Sequence, residues 1–400
     1  MRGARCGANG DGAIADDPAD DPADDPADDR VSTRRRNLST KPPEQATLRH
    51  VTSTVVLGAG IVGASIAYHL ARAGAEVTLL DKDLPGTGAT GASFAWIGKG
   101  PEAQRFDQSA LRAHVVDDYR RLEEQVPGVQ VRWTGSLCWD DDEAVRQEPR
   151  SQDRLLITAV DVAHLEPALL SPPPVALRIT SDGAIDPTAA VEALLAAARG
   201  YGADIRAGVS ARRLRVRDER VVGVETADGS LTADSVVIAT GTDAPLLCAP
   251  LGFHLPVAGS PAILLRFAAA PDVVRTLVSN DQVEVRQAGE GTLLAAREHR
   301  GEGTEAQLRA TGEAVAAHLR SSFVGAESIE LLSAEVGTRP MPVDGSPVIG
   351  PVPGADGAYL AVVHSGVTLA APVGRLVAAE ILDGAVAVEL EGLRPTRFLD

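Results

Sequence analysis

The chain has 400 residues, 44% of them hydrophobic, enough for a large core in one domain or two intimately joined ones. Its formal net charge is −17; the first 50 residues carry 10 acids against 8 Lys or Arg, or −2, which leaves −15 on the body and excludes nucleic acid and anionic membranes as partners. The three cysteines, Cys6, Cys138 and Cys248, form no C-x-x-C pair, which argues against a disulfide framework or zinc site and for a reducing, cytoplasmic setting.

Residues 1–50 contain an Asp-Asp-Pro-Ala repeat from Asp16 to Asp29, which has no apolar face and repels itself, so a disordered tail is expected. Arg34-Arg35-Arg36 resembles a twin-arginine signal, but the NLSTKPPEQATLRH that follows is too polar for a signal core. No run of 18 apolar residues follows, so no transmembrane segment is expected.

Residues Thr54 to Asp81, TVVLGAGIVGASIAYHLARAGAEVTLLD, organise the rest. Val55 to Leu57 reads as a fully buried strand, followed by Gly58, Gly60 and Gly63 as G-x-G-x-x-G. Gly58 permits the tight turn, Gly60 lets backbone close on a pyrophosphate, and Gly63 lets the helix pack on the strand. The helix, Ile61 to about Ala73, points its positive end at the phosphates, and Gly74 suits a left-handed cap. Glu76 to Leu80 is a second strand, and Asp81 at its end suits a ribose hydroxyl while arguing against a 2′-phosphate. The pattern predicts a dinucleotide site without separating FAD from NAD.

The next loop, LPGTGATGASFAWIGKG, offers backbone N–H groups and the hydroxyls of Thr90 and Ser93 to a phosphate or ring. A helix is expected over 103–125 and a strand from Val129 to Trp139. Ser151 to Leu170 reads as containing a short helix, ahead of a Pro-rich connection at Pro172 to Pro174. Asp186 and Pro187 open a helix from Thr188 to Arg199 as N-cap and N1. Strands follow at Asp204–Ala207, Ser210–Val216, Val221–Thr226 and Ser235–Ala239, the last running into Thr240 and Gly241. Pro256–Phe267 and Gln282–Ala296 read as strands of another sheet, Glu305–Ser322 as a helix, Ala358–Val363 as a strand and Val373–Leu382 as the final helix. A βαβ start and a βα end around two strand-rich inserts predict an α/β fold with α+β inserts: a Rossmann-like nucleotide-binding sheet interleaved with a mostly antiparallel second domain. The expected boundaries are 51–128, 175–252 and 336–400 for the first, and 129–174 and 253–335 for the second.

With these blocks in hand, the chain resembles the D-amino-acid oxidase family of FAD-dependent oxidoreductases, on the glycine oxidase, D-amino-acid dehydrogenase and sarcosine oxidase-like side. The resemblance runs from about Thr52 to the C-terminus. It rests on the first βαβ unit, LEPAL at 165–169, GAIDP at 183–187, VVGVETADGSLTADSVVIATG at 221–241, RPMPVDGSPVIG at 339–350 and HSGVTLAAPVGRLVAAEIL at 364–382.

The resemblance implies that Gly58, Ala59, Gly60, Ile61 and Gly63 hold the pyrophosphate, Asp81 and Lys82 the adenosine end, and Thr90 and Ser93 the flavin or its phosphates. It places Val209 at the adenine and Thr240 and Gly241 beside the cofactor. Gly366, Val367, Thr368 and Leu369 would run along the isoalloxazine ring, with Thr368 capping the last helix. Arg339 would grip the substrate carboxylate through two charge-assisted bonds, and His364 would tune the flavin. Relatives that tether flavin do so through a Cys or His where this chain has Gly337 and Ala95, so non-covalent FAD is expected. Lys99 is weighed for attracting superoxide against a plain solvated lysine, and Trp96 reads as packing rather than as a substrate platform. The tyrosines of relatives find no certain match among Tyr68, Tyr119, Tyr201 and Tyr359.

The activity implied is oxidation of the Cα–N bond of glycine or a D-amino acid, by hydride transfer to flavin N5, giving an imino acid that hydrolyses to a 2-oxo acid and ammonia. Alternatives are a sarcosine or N-methyl amino acid oxidase, an NAD-dependent dehydrogenase and a non-catalytic FAD-binding subunit. The expected partners are a small amine or amino acid and O2 or another electron acceptor; self-association into a homo-oligomer is compatible with the chain.

Overall fold

The computed structural model describes residues 51–98, 108–140 and 150–399. The Asp-Asp-Pro-Ala tail, the twin arginine-like motif, Cys6 and Lys99 lie outside the described residues. Among those described, no helix is long and apolar enough to cross a membrane.

The first sheet has six strands, ordered Val348–Pro351, Ala358–Val362, Ser235–Ile238, Ser53–Leu57, Glu76–Asp81 and Asp204–Ala207. All neighbours are parallel except the edge strand Val348–Pro351, which runs antiparallel. The glycine-motif strand Ser53–Leu57 is therefore buried between neighbours, and its alternation decides the packing. Val56 faces a core with the helices, whereas Val55 and Leu57 face a core with the three-stranded antiparallel sheet of Arg213–Arg217, Arg220–Thr226 and Gly229–Thr232.

On the helical face, Ile61–Arg72 packs between Pro187–Gly200 and Gly366–Asp383. A β-carbon on Gly374 would fall 2.1 Å from Ser65 Oγ, so this glycine sets how closely the first and last helices approach. Gly74, at φ +92°, follows the Ala73 cap of the first helix as its turn residue. The helix Pro187–Gly200 starts as its sequence dictates, with Asp186 Oδ1 accepting from the N–H groups of Thr188 and Ala189 at 3.0 Å each.

The second large sheet has eight strands, ordered Glu330–Pro342, Val257–Ala268, Thr292–Glu298, Glu284–Gly289, Leu277–Ser279, Ser136–Cys138, Val175–Ile179 and Arg154–Thr158. Its pairings are antiparallel save one, between Leu277–Ser279 and Ser136–Cys138. The helix Glu305–Ser322 covers it around Phe267, Leu293 and Leu319. Val175–Ile179, inside the expected 175–252 segment, pairs in this second sheet.

Several expected elements are divided differently. The described part of 103–125 is two helices, Ser109–Arg112 and Val115–Gln125. Val129–Trp139 is two short strands in different sheets, broken at Gly135, where φ is +68°. Gln282–Ala296 is a hairpin, Glu284–Gly289 and Thr292–Glu298, turning at Gly291 with φ +74°. The last helix starts seven residues before Val373, at Gly366, and carries Pro372 inside it. Proline reads locally as a helix start, so the sequence hid the first two turns. The LEPAL block has a structural use: fully buried Glu166 accepts from the N–H groups of Arg275 and Thr276 and from the Thr276 hydroxyl, tying the loop to the strand Leu277–Ser279.

Candidate functional site

A cavity of about 1340 Å³ opens between the two large sheets. It exceeds the ~300–1,000 Å³ usual for a single small ligand. One wall consists of residues at or just past the carboxyl ends of the parallel strands, Leu57 with Gly58, Leu80 with Asp81, Ala239 with Thr240, and Val363 with His364. Ligands of open parallel sheets bind at this edge.

The glycine cradle is sterically enforced. Gly58 has φ +100°, and a β-carbon there would lie 2.5 Å from the Ala239 carbonyl oxygen. One on Gly63 would lie 1.9 Å from the Gly58 carbonyl oxygen, so any side chain would drive helix from strand. Gly60 is the N-cap of the first helix and has no side-chain cap, which leaves its amides directed at the cavity. The Ile61 N–H is the exception, donating to Thr90 Oγ at 3.1 Å. The Asp81 carboxylate lines the cavity and accepts from the N–H groups of Ala59 at 2.5 Å and Asp83 at 2.8 Å.

Of the other expected cofactor residues, Ser93, Val209, Gly241, Gly366, Val367 and Thr368 also line the cavity. Ala59, Gly63 and Leu369 stand behind its wall. Lys82 lines it too, but its ammonium pairs with Asp243 at 2.8 Å, and that hydrogen bond raises its pKa. The N–H of Val209 is spent on the Asp81 carbonyl at 2.8 Å. Thr240 presents a buried hydroxyl with no partner, an unmet polar group in a ligand-sized space.

Thr368 is not the cap of the last helix. Ser365, in the left-handed region at φ +62°, takes that position, and the Thr368 hydroxyl donates to the Trp96 carbonyl at 2.7 Å. The helix still presents its positive end to the cavity through Ser365, Gly366 and Val367. Tyr119 anchors that end by donating its hydroxyl to the Val367 carbonyl. None of the four tyrosines lines the cavity.

Gly337 and Ala95 both line the cavity, and neither supplies a nucleophile. Cys138 also lines it, with its thiol pushed up to about 12, chiefly by burial, which keeps it neutral. Trp96 lines the cavity while its indole N–H donates to Asp182 at 2.9 Å, which fixes it as a wall.

The opposite wall belongs to the eight-stranded sheet. Arg339, on Glu330–Pro342, is exposed toward the cavity and donates to Ser260 through Nη2 to Oγ at 3.0 Å and Nε to the carbonyl at 3.4 Å. Among the described residues it has no ion-pair partner. His364 sits between this wall and the last helix. Burial, with help from Arg339 and Arg112, lowers its pKa to about 4, so the ring is neutral at physiological pH.

Three charged residues here escaped the sequence reading. Arg112 is 8% exposed, lines the cavity with Nε unpartnered and reaches Ser365 Oγ at 3.3 Å. Glu284 lines the substrate-side wall. Asp182 holds Trp96 and the Ser136 hydroxyl from behind, its pKa raised to about 6 by burial. A charged residue at an inward position of an apolar strand, as in Val283-Glu284-Val285, was the available signal for Glu284.

Comparison with known proteins agrees with this geometry. The chain is 30% identical over 403 residues to a D-amino acid dehydrogenase of Cereibacter sphaeroides, covering 82% of this chain and 91% of that protein. It is 28% identical over 363 residues to a glycine oxidase of Bacillus licheniformis, covering 86% and 96%. Its fold matches the crystal structure of a glycine oxidase from Bacillus cereus with a TM-score of 0.75 at 19% identity, covering 87% of this chain and 100% of that one. Residues 53–380 match the model of the DAO family, described as FAD dependent oxidoreductase. A strand, a glycine cradle and a cavity of about 1340 Å³ at the sheet edge, in a chain with that match, mean that this protein belongs to the DAO family of FAD-dependent oxidoreductases.

Proposed function

We propose that the protein oxidises the Cα–N bond of a small amino acid, glycine or a D-amino acid, to an imino acid that water converts to a 2-oxo acid and ammonia. The observation that carries this reading is Arg339, a guanidinium on the strand Glu330–Pro342 that lines the cavity and, among the described residues, has no ion-pair partner. The NAD-dependent reading falls with the family assignment.

The cradle fits FAD. Gly58, Gly60 and Ile61 would hold the pyrophosphate, Asp81 the ribose, and Thr90 and Ser93 the neighbouring phosphate or ring. Thr240, Gly241 and Val209 would complete the adenosine and linker contacts, and Gly366, Val367 and Thr368 the ring. Ala59, Gly63 and Leu369 support these from behind. FAD, when bound, supplies the two-electron acceptor. We assign segments 51–128, 175–252 and 336–400 to its binding unit and 129–174 and 253–335 to the substrate unit, except that the strands Val175–Ile179 and Glu330–Pro342 pair in the substrate-side sheet.

The chain's own residues do four things. Arg339 takes the carboxylate and fixes the position of Cα. The wall of Phe94, Trp96 and Leu264 excludes water. Neutral His364 adds no second charge beside the reacting amine. The end of the last helix offers positive potential where electron density accumulates. With no nucleophile at positions 337 and 95, the flavin is held non-covalently, and acid precipitation should release all of it.

The test is an anaerobic panel of glycine, D- and L-amino acids, sarcosine and simple amines, scored by bleaching of the flavin. Bleaching by glycine or D-amino acids supports the reading. Bleaching by sarcosine alone transfers it to secondary amines, and bleaching by none leaves a binding subunit.

A further inference from the structure

The substrate-side wall carries a second charge that the reaction as proposed does not use. Glu284 lines the same cavity as Arg339, from the strand Glu284–Gly289. It is partly exposed toward the cavity, and the Ser279 side chain hydrogen-bonds to its carboxyl. Arg339 pulls its pKa down against a larger rise from burial, so the two charges sense one another. Among the described residues neither has an opposite charge within ion-pair distance.

Register explains why. Glu284 pairs with Ala296, Ala296 with Leu264, and Ser260, four residues along that strand, with Arg339. Positions an even number of residues apart share a sheet face, so both charges rise from the face that lines the cavity. Three strand spacings of ~4.8 Å and four residues of ~3.3 Å separate the two backbones. Among the described residues no ion pair closes that span, although the two charges sense one another. The wall thus carries Arg339 on one side and Glu284, with the acid Asp140 near enough to raise its pKa, on the other.

A ligand that satisfied Arg339 alone would be a simple carboxylate, and Glu284 would repel it. A ligand that satisfies both carries a carboxylate at one end and a cation at the other. That cation is not the reacting amine, because oxidation needs the amine neutral and an adjacent carboxylate would keep it protonated. It lies further along the side chain.

We infer that Glu284 is the specificity residue of the substrate chamber and that the substrate is a basic amino acid, its carboxylate on Arg339 and its side-chain cation on Glu284. This rests on the amino-acid reading of Arg339 given above. Glycine would then be a poor substrate, bound at one end only.

The test uses the FAD-loaded enzyme and two probes of equal length without an α-amine, 5-aminopentanoate and hexanoate, titrated by the shift they cause in the flavin's visible bands. Wild type should bind 5-aminopentanoate about tenfold or more tightly than hexanoate. Glu284→Gln, nearly isosteric, should abolish or reverse that order, and Glu284→Asp should keep part of it. Flavin content and melting temperature of each variant verify that it is folded. In anaerobic reduction, lysine should exceed norleucine in wild type and lose that advantage in Glu284→Gln. Equal binding of the two probes by wild type, or an unchanged ratio in Glu284→Gln, overturns the assignment. A preference for 5-aminopentanoate without bleaching by any amino acid would sustain Glu284 and sink the amine-oxidation reading; bleaching without the preference would do the reverse.

Discussion

On one side of the cavity Ala59 and Asp81 are 22 residues apart and belong to a single βαβ unit. On the other, Ser260 and Arg339 are 79 residues apart and meet only because two long strands pair. The first wall is shaped by backbone, and its Gly58 and Gly63 admit no side chain. The second is a sheet face on which charged side chains stand. On the proposed reading, cofactor binding follows from local chain geometry, whereas substrate choice follows from strand register. Damage to the first should therefore remove the flavin, and damage to the second should leave the flavin and change the chemistry.

The largest expected effect breaks the first wall. Gly63→Val places carbon where the Gly58 carbonyl stands, at 1.9 Å from the first added atom. Relief requires the helix to leave the strand, at a cost above ~3 kcal/mol. Purified protein should be colourless or nearly so, with a melting temperature well below wild type. Full flavin content would show that the cradle yields.

Arg339→Leu breaks the second wall. Losing one partner of a desolvated charge pair costs about 2–5 kcal/mol, roughly 30- to several-thousand-fold in kcat/KM. Flavin content should be unchanged, and Arg339→Lys should restore activity only in part, since an ammonium lacks the two-pronged fork. An Arg339→Leu enzyme that reduces its flavin as fast as wild type would make this residue structural.

A smaller effect concerns the helices behind the cradle. His69 lies between the first and last helices, hydrogen-bonded to the Ser65 carbonyl at 2.8 Å, and burial lowers its pKa to about 4. As pH falls from about 6.5 to 4, the unfolded chain takes up a proton that the folded ring refuses, so stability falls, by up to ~3 kcal/mol. His364 acts in the same direction. Asp182, raised to about 6, acts oppositely, adding stability as pH falls below 6. His69→Gln keeps a donor without a titrating ring, so its melting temperature should fall less than that of wild type between pH 7 and 4.5. Parallel curves would mean that His69 is protonated in the fold.

The smallest effect is expected from removing residues 1–45. Their composition offers no apolar surface for the body to bury. Flavin content and melting temperature should stay within experimental scatter, and a fall of several degrees would refute this.

Elements whose causes are local could be read from the chain alone. G-x-G-x-x-G with Asp81 fixed the cradle, because a tight turn and a close backbone approach admit only glycine. Asp186-Pro187 fixed a helix start, because capping needs only neighbouring atoms. The continuous apolar run Val55, Val56 and Leu57 marked a strand buried on both faces. Where a local rule misled, a tertiary contact overruled it. Pro372 signals a helix start, yet the helix begins at Gly366, where Ser365 turns the chain and Tyr119 grips the Val367 carbonyl. Only the tertiary structure decided that Glu284, Arg112 and Arg339 look into one cavity. They come from different strands and a helix, and no spacing along the chain records strand register or the depth of water exclusion that gives their charges meaning.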